Sequence, residues 1–283
     1  MKPAPFEIER PTLLVDALRL LAAHAGEARL IAGGQSLVPL MNLRMATPAL
    51  LIDLNRVEGL QGIRVDGPWL RIGAMTRQQR LMHDSLVAAH APLVARAMPH
   101  VGHVQTRNRG TIGGSLAHAD PSAELPVSMV ALGAIMRVQS ASRERHIPAR
   151  EFFKDILSTA LEPDEVLVEV SIPRAPIDTR ASFVEFARRH GDFAIASCAA
   201  QFVPDARTPR LELALGGVGN VPHLCSRLAA TLAEAGFSRA RLAPAIDAEV
   251  ALLMPMEDLQ ADAALRRQLA RVALDACLTE ILP

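Results

Sequence analysis

Apolar runs in this chain are short, and they fall into two strand-rich blocks, each followed by helically spaced residues. That order predicts an α+β protein rather than a doubly wound sheet, in which strands and helices would alternate throughout. In the first block Leu14, Ala17, Leu18 and Leu21 sit at helical spacing, with Thr12 placed to cap the start and Gly26 the end. Runs at 28–32, 50–54 and 69–74 read as short strands, helical signal returns over 77–83 and 86–98, and Pro92 breaks it. A long loop is expected over 101–118, a helical or irregular stretch over 124–132, and strands over 134–139 and 165–172.

Pro173 and Pro176 mark the boundary between the blocks. Residues 1–175 are therefore expected as one domain, with subdomains of about 1–57 and 58–175, and 176–283 as a second. Beyond the boundary, 182–187, 195–202 and 211–215 predict three antiparallel strands. Leu228, Leu232 and Ala235, then Leu265, Leu269, Val272 and Ala276, predict the inward faces of the helices that follow. A length of 283 residues is ample for two cores.

Charge narrows the function. Thirty basic and thirty acidic side chains cancel, whereas a nucleic-acid partner normally requires a basic excess, so none is expected. Cys198, Cys225 and Cys277 are far apart and form no C-x-x-C, so the chain is expected to hold neither a zinc ribbon nor its own iron–sulfur cluster. Nine scattered histidines predict no metal centre, although His118 stands close to a motif described next. No run reaches the length of a transmembrane helix, the opening residues do not read as a signal peptide, and a cytoplasmic location is expected.

Two glycine pairs carry the chemical signal. Ala32-Gly33-Gly34-Gln35-Ser36 follows a strand directly, and Thr111-Ile112-Gly113-Gly114-Ser115 stands about 80 residues later. Adjacent glycines allow positive φ and remove Cβ atoms that would block a ligand, so successive N–H groups can form an anion nest. Ser36, Thr111 and Ser115 add hydroxyl donors. Two nests converging on one ligand suit a diphosphate held by amides rather than lysines. Neither segment is a Rossmann or Walker motif, and each glycine pair by itself also reads as an ordinary turn. Residue chemistry thus leaves the ligand's identity open.

Around these residues the chain resembles the FAD-binding, or medium, subunits of the molybdenum hydroxylases, the group of carbon monoxide and xanthine dehydrogenases. The similar stretches include IAGGQSLVPLMNLRMATPALLIDLNRV, IGAMTRQQ, QTRNRGTIGGSLAHADPSAELP, TALEPDEVLVEVSIP, FVEFARRHGDFAIASCA and LALGGVGNVP. The resemblance spans nearly the whole chain. It implies a vanillyl-alcohol-oxidase-like, PCMH-type FAD fold of two subdomains, followed by a C-terminal domain with a three-stranded antiparallel sheet and helices.

The resemblance also implies site residues. Ala32, Gly33, Gly34, Gln35 and Ser36, with Thr111, Ile112, Gly113, Gly114 and Ser115, would hold the pyrophosphate of a non-covalent FAD. Asp120 and Glu124 would lie near the ribityl chain or ring, and Leu161 and Leu167 would line the isoalloxazine. Phe193 stands where relatives often carry a tyrosine, and this chain has no tyrosine at all. Partners are implied too: a small subunit with [2Fe–2S] clusters and a large molybdopterin subunit, assembled as a dimer of heterotrimers. The chain would pass electrons from the clusters to an external acceptor, with no catalytic acid or base of its own. A self-sufficient oxidase or reductase of the same fold, and an assembly subunit without flavin, are the alternatives.

Overall fold

The structure is a computed structural model and describes residues 2–205 and 207–283. The first unit is a parallel sheet of order β1-β3-β2, formed by β1 (Glu7–Glu9), β2 (Ala28–Ile31) and β3 (Leu50–Asp53), with α1 (Leu14–Ala23) against it and α2 (Leu37–Asn42) after β2. Helix α1 buries Ala17, Leu18 and Leu21, as the spacing predicts. Its N-cap is Leu13 rather than Thr12, and no side chain caps it; the Thr12 carbonyl instead accepts the Glu58 amide at 2.9 Å.

The second unit holds a five-stranded antiparallel sheet of order β4-β5-β10-β6-β7. Its first two strands are β4 (Ile63–Asp66) and β5 (Trp69–Gly73). Six helices follow: α3 (Gln78–His83), α4 (Ser85–His90), α5 (Pro92–Ala97), α6 (Val104–Arg109), α7 (Ile112–His118) and α8 (Glu124–Ala131). Then come β6 (Ile135–Gln139), β7 (Glu144–Pro148), α9 (Ala149–Phe152), the small hairpin of β8 (Phe153–Asp155) and β9 (Ser158–Thr159), and β10 (Val166–Pro173). The expected loop over 101–118 is therefore largely helical. Helix α6 (VQTRNR) buries no residue, so it carries no apolar periodicity that a sequence reading could detect.

Strand β10 is shared between cores. Val166 and Val168 pack with Ala17, Leu18 and Ile52 in the core of the first unit, whereas Leu167, Val170 and Ile172 pack in the larger core with Leu70, Leu93 and Phe152. A register shift between Leu167 and Glu169 accompanies the change of face. Glu169, 3 % exposed, is surrounded by Arg64, Arg71 and Arg137 at 2.6, 3.1 and 3.5 Å, which compensates the desolvation of its carboxylate.

The C-terminal sheet has four strands, not three: β11 (Arg180–Phe186), β12 (Ala196–Val203), β13 (Arg210–Gly216) and the two-residue β14 (His223–Leu224), in sequential antiparallel order. So short an edge strand has no alternating pattern of its own. Alternation along β12 divides its faces: Ala196, Cys198, Ala200 and Phe202 meet the terminal helices, while Ala199 joins the core of the second unit. Those helices are α10 (Ser226–Glu234), α11 (Leu242–Val250) and α12 (Ala263–Ile281).

Helix α12 turns a different face inward from the one expected. It buries Ala270, Ala273, Leu274, Cys277, Leu278 and Ile281, and leaves Leu265 and Val272 exposed. Small side chains (Ala270, Ala273, Cys277) share this face with large ones (Leu274, Leu278, Ile281), so large aliphatics alone do not mark it.

Candidate functional site

The fold brings the two glycine pairs together. Gly33 lies just beyond β2, and a Cβ built on it would overlap the Arg109 carbonyl oxygen and stand 2.9 Å from Gly110 Cα. A Cβ on Gly114 would lie 3.5 Å from Ala32 Cβ. The segments Ala32–Ser36 and Thr111–Ser115 are thus neighbours, one from each side of the seam between the first two units.

The two segments are built differently. Gly34 has φ +73°, which favours glycine, and the amides of Gly33, Gly34, Gln35 and Ser36 donate no hydrogen bond among the described residues. Gln35 folds back on the Gly33 carbonyl at 3.1 Å, and the Ser36 hydroxyl makes no cap to α2. Four successive free amides beside a free hydroxyl can bind an anion, as expected of a nest.

The second pair is the first turn of α7, with helical rather than positive φ. Thr111 caps it, accepting the Gly114 N–H at 3.0 Å, and the Ile112, Gly113 and Ser115 amides bond to the carbonyls of Thr76, Ala74 and Thr111. It is therefore a capped helix start and not a second nest. Gly113 is needed for close packing, since an added Cβ would stand 2.5 Å from Ala74 Cβ and 2.8 Å from its carbonyl oxygen. The Ser115 hydroxyl and the Thr111 N–H remain as donors, with no partner among the described residues.

A clamp that sequence reading misses joins the segments. Asn55, after β3, donates to the Ala32 carbonyl at 2.9 Å, and its own oxygen accepts Arg77 at 2.6 Å. Arg77 also donates to the Arg109 carbonyl. Its guanidinium pKa is lowered by burial and by the nearby charge of Arg109, while Asp53 opposes the shift. Cationic charge therefore stands one hydrogen-bonded residue, Asn55, away from the Ala32 carbonyl that precedes the free amides. Asn55 and Arg77 occur inside LIDLNRV and MTRQQ, but single polar residues in such runs give no local signal of a contact 22 positions away.

Acidic residues gather beyond α7. Asp120 is half-buried and accepts the Ser122 amide at 2.8 Å. Glu124, the first residue of α8, is buried, and desolvation pushes its carboxyl up to about 7; its backbone amide draws it down, and Asp120 pushes it up further. On β11, burial and then the charge of Glu124 push Glu185 up to about 8, and its Oε2 is buried with no partner among the described residues. Its cross-strand neighbour Ser197 likewise has a buried hydroxyl with no partner among those residues. His118, ending α7, is held below its ordinary pKa by burial, with Asp120 opposing.

Both glutamates release their protons at higher pH in the native state than in the unfolded chain, whose ordinary value is 4.5. Stability of the flavin-free protein therefore falls as pH rises from that value through about 7 and 8. Glu185→Gln removes part of this cost. Its melting temperature should stay near the wild type's at pH 5 and exceed it by several degrees at pH 8.5, read from a thermal melt series; a constant difference across pH would refute the burial argument.

The remaining expected residues lie apart in character. Leu167 is 5 % exposed in the core, and Leu161 packs partly buried against that core. Phe193 is 48 % exposed, in the segment between β11 and β12. That segment packs against the start of α6: a Cβ on Gly191 would stand 2.8 Å from the ring of His103, the N-cap of α6. Its far end is fixed by Arg266, buried on α12, whose Nη1 donates to the Ile195 and Gly217 carbonyls at 2.6 and 2.8 Å.

Comparison with known proteins gives these features a context. Residues 4–175 match the family described as the FAD binding domain in molybdopterin dehydrogenase, and residues 181–281 the CO dehydrogenase flavoprotein C-terminal domain. The chain is 39 % identical to the 6-hydroxypseudooxynicotine dehydrogenase complex subunit alpha of Paenarthrobacter nicotinovorans, covering 100 % of this chain and 96 % of that one. It is 36 % identical to the carbon monoxide dehydrogenase medium chain of Hydrogenophaga pseudoflava, over 98 % of each. A solved structure of carbon monoxide dehydrogenase from Hydrogenophaga pseudoflava superposes with a TM-score of 0.94 at 34 % identity, covering 99 % of this chain and 98 % of that chain.

Proposed function

From the premise that this chain belongs to the FAD-binding medium subunits of the molybdenum hydroxylases, we infer that its free-amide cradle holds the FAD pyrophosphate. The chain is an oxidoreductase subunit that carries FAD and transfers electrons within a heteromeric molybdenum enzyme, whose iron–sulfur and molybdopterin groups reside on other subunits. The observation that carries the site assignment is the run of unbonded amides from Gly33 to Ser36, set against the start of α7.

These residues fit a diphosphate. Four amides and the hydroxyls of Ser36 and Ser115 supply donors, and Arg77 supplies nearby positive charge. Gly33 lets the two segments close on each other, and Gly114 leaves the side that faces Ala32 free of a side chain. We assign Asp120 and Glu124 to the ribityl side, where a carboxylate or a protonated carboxyl can hydrogen-bond to hydroxyls, and Leu161, Leu167 and Phe193 to the ring side. Phe193 can stack on a ring but cannot donate the hydrogen bond that a tyrosine would.

When bound, FAD supplies acceptance and release of one or two electrons. This chain's share is positioning and electrostatics. The Arg77–Asn55 clamp fixes the two segments in one relation, so the cradle is formed before the ligand arrives. Glu185, and in part Glu124, holds its proton near neutral pH, which spares the domain seam two adjacent buried charges. No catalytic acid or base need be assigned to this chain.

We further assign residues 1–175 to the flavin domain, with subdomains of about 1–57 and 58–175, and 176–283 to the C-terminal domain, supported by three cores centred on these parts. We place the complex in the cytoplasm as a dimer of heterotrimers. No helix among the described residues is long and apolar enough to cross a membrane. The named relatives act on substrates as different as 6-hydroxypseudooxynicotine and carbon monoxide, so the substrate belongs to the molybdenum subunit.

The deciding experiment is the visible spectrum of the purified chain. An oxidised-flavin spectrum is expected, with one FAD per chain released by mild acid denaturation, and no turnover of organic substrate in the absence of partner subunits. A chain that neither contains nor takes up FAD would overturn the site. One that turns over substrate alone would favour a self-sufficient flavoenzyme instead.

A further inference from the structure

We propose that His223, Cys225 and Glu249 form a binding site for one divalent metal ion of the zinc type, in the C-terminal domain and separate from the flavin cradle. A ligand atom from each of the three lies within 4.8 Å of the others, and among the described residues this is the one trio of His, Cys, Asp or Glu so gathered. The sequence pattern H-x-C with a glutamate 24 residues on matches no zinc-finger spacing, which is why spacing alone predicts no metal here.

Each donor is held by backbone already committed elsewhere. His223 lies on β14, paired with Leu215, and the Cys225 amide bonds to the Leu213 carbonyl at 3.1 Å. Cys225 is the N-cap residue of α10, and Glu249 is the penultimate residue of α11. The Glu249 Oε2 accepts the Leu228 amide at 2.9 Å, and its Oε1 lies 2.8 Å from His223 Nε2. One carboxylate oxygen is thus orientated by the backbone while the other faces the imidazole, the arrangement by which outer hydrogen bonds fix a ligating carboxylate.

Burial and donor type select the ion. Cys225 and Glu249 are 0 and 2 % exposed, and the His223 side chain is 32 % exposed, which leaves a solvent route on one side. A groove of about 710 Å³ between α10 and α11, lined by Arg227, Leu228, Arg241 and Glu249, opens next to the site. One nitrogen, one sulfur and one oxygen donor suit a four-coordinate zinc-like ion, with water in the fourth position. A thiolate disfavours magnesium and calcium. On binding, the Cys225 thiol proton passes to solvent, and the dication balances the thiolate and carboxylate. The ion would tie an edge strand to two helices, replacing the His223–Glu249 hydrogen bond that joins them without it.

The test uses the full-length, flavin-loaded chain, stripped of metal with a chelator, titrated with zinc and analysed for metal after dialysis. One zinc per chain is expected, together with a rise in melting temperature. Cobalt in place of zinc should give a thiolate-to-metal charge-transfer band in the difference spectrum. Cys225→Ala and His223→Gln should each weaken zinc binding by more than about tenfold, while FAD content stays at the wild-type level. Substoichiometric zinc, no charge-transfer band, or wild-type affinity in the two folded variants would overturn the proposal. The FAD reading would be untouched by any of these results.

Discussion

A Gly33→Val chain, purified beside the wild type, should be colourless. The added Cβ would overlap the Arg109 carbonyl oxygen, and Arg109 C and Gly110 Cα stand 2.7 and 2.9 Å away. All are backbone atoms, and that backbone is held by the Gly110 amide on Thr106, the Gln78 amide on Gly110 and Arg77 on Arg109. Relief must come from the Ala32–Ser36 segment, which moves outward by about an ångström and opens the cradle. Overpacking of this kind costs about 3 kcal/mol, or about a hundredfold in affinity where the strain falls on the bound state.

Flavin content per chain, read from the visible spectrum after gel filtration, checks this. Far-ultraviolet circular dichroism separates loss of flavin from loss of fold. Gly219→Ala is the matched control, because its nearest neighbour would stand 3.8 Å away and FAD should be retained. Equimolar FAD in the Gly33→Val protein would mean that these two segments do not form the cradle.

The second large effect is expected far from the glycine pairs. Arg266→Met should destabilise the protein by about 2–5 kcal/mol, because it leaves two buried carbonyl oxygens without donors, at about 1–3 kcal/mol each. Arg266 is 3 % exposed, and one guanidinium satisfies the carbonyls of Ile195 and Gly217 and the carboxylate of Asp258, the last at 2.7 Å. Methionine fills much of the volume but donates nothing to those oxygens. Denaturant unfolding measures the loss. Arg188→Met, at an exposed arginine bonded to the carbonyls of Leu259 and Gln260, should change stability by less than about 1 kcal/mol. Comparable effects from both substitutions would show that burial of Arg266 is not what sets its contribution.

Much of this architecture is legible in the chain itself. Period-two and helical spacings locate most strands and α1, because one buried face is enough to imprint a pattern. The glycine pairs also mark two segments that the fold brings together. What the pattern does not carry is the reason for each glycine. Gly34 takes positive φ, Gly33 makes room for backbone, and Gly113 makes room for Ala74. These are three different constraints with one residue type as their solution. Asn55 and Arg77 are silent for a related reason, since their partners are backbone carbonyls that any sequence supplies. Helix α12 misleads because its inward face mixes Ala270, Ala273 and Cys277 with Leu274, Leu278 and Ile281, while Leu265 and Val272 face outward.

The sharing of β10 between two cores has a consequence for how the protein comes into being. The opening sheet cannot complete its core from its own residues: Val166 and Val168 arrive more than a hundred positions after β3. During synthesis the first parallel strands must wait, partly uncovered, until β10 has left the ribosome. Such long-range closure slows folding and lengthens exposure to aggregation. Nascent chains halted before residue 166 should therefore need chaperone cover that chains released after residue 173 no longer require.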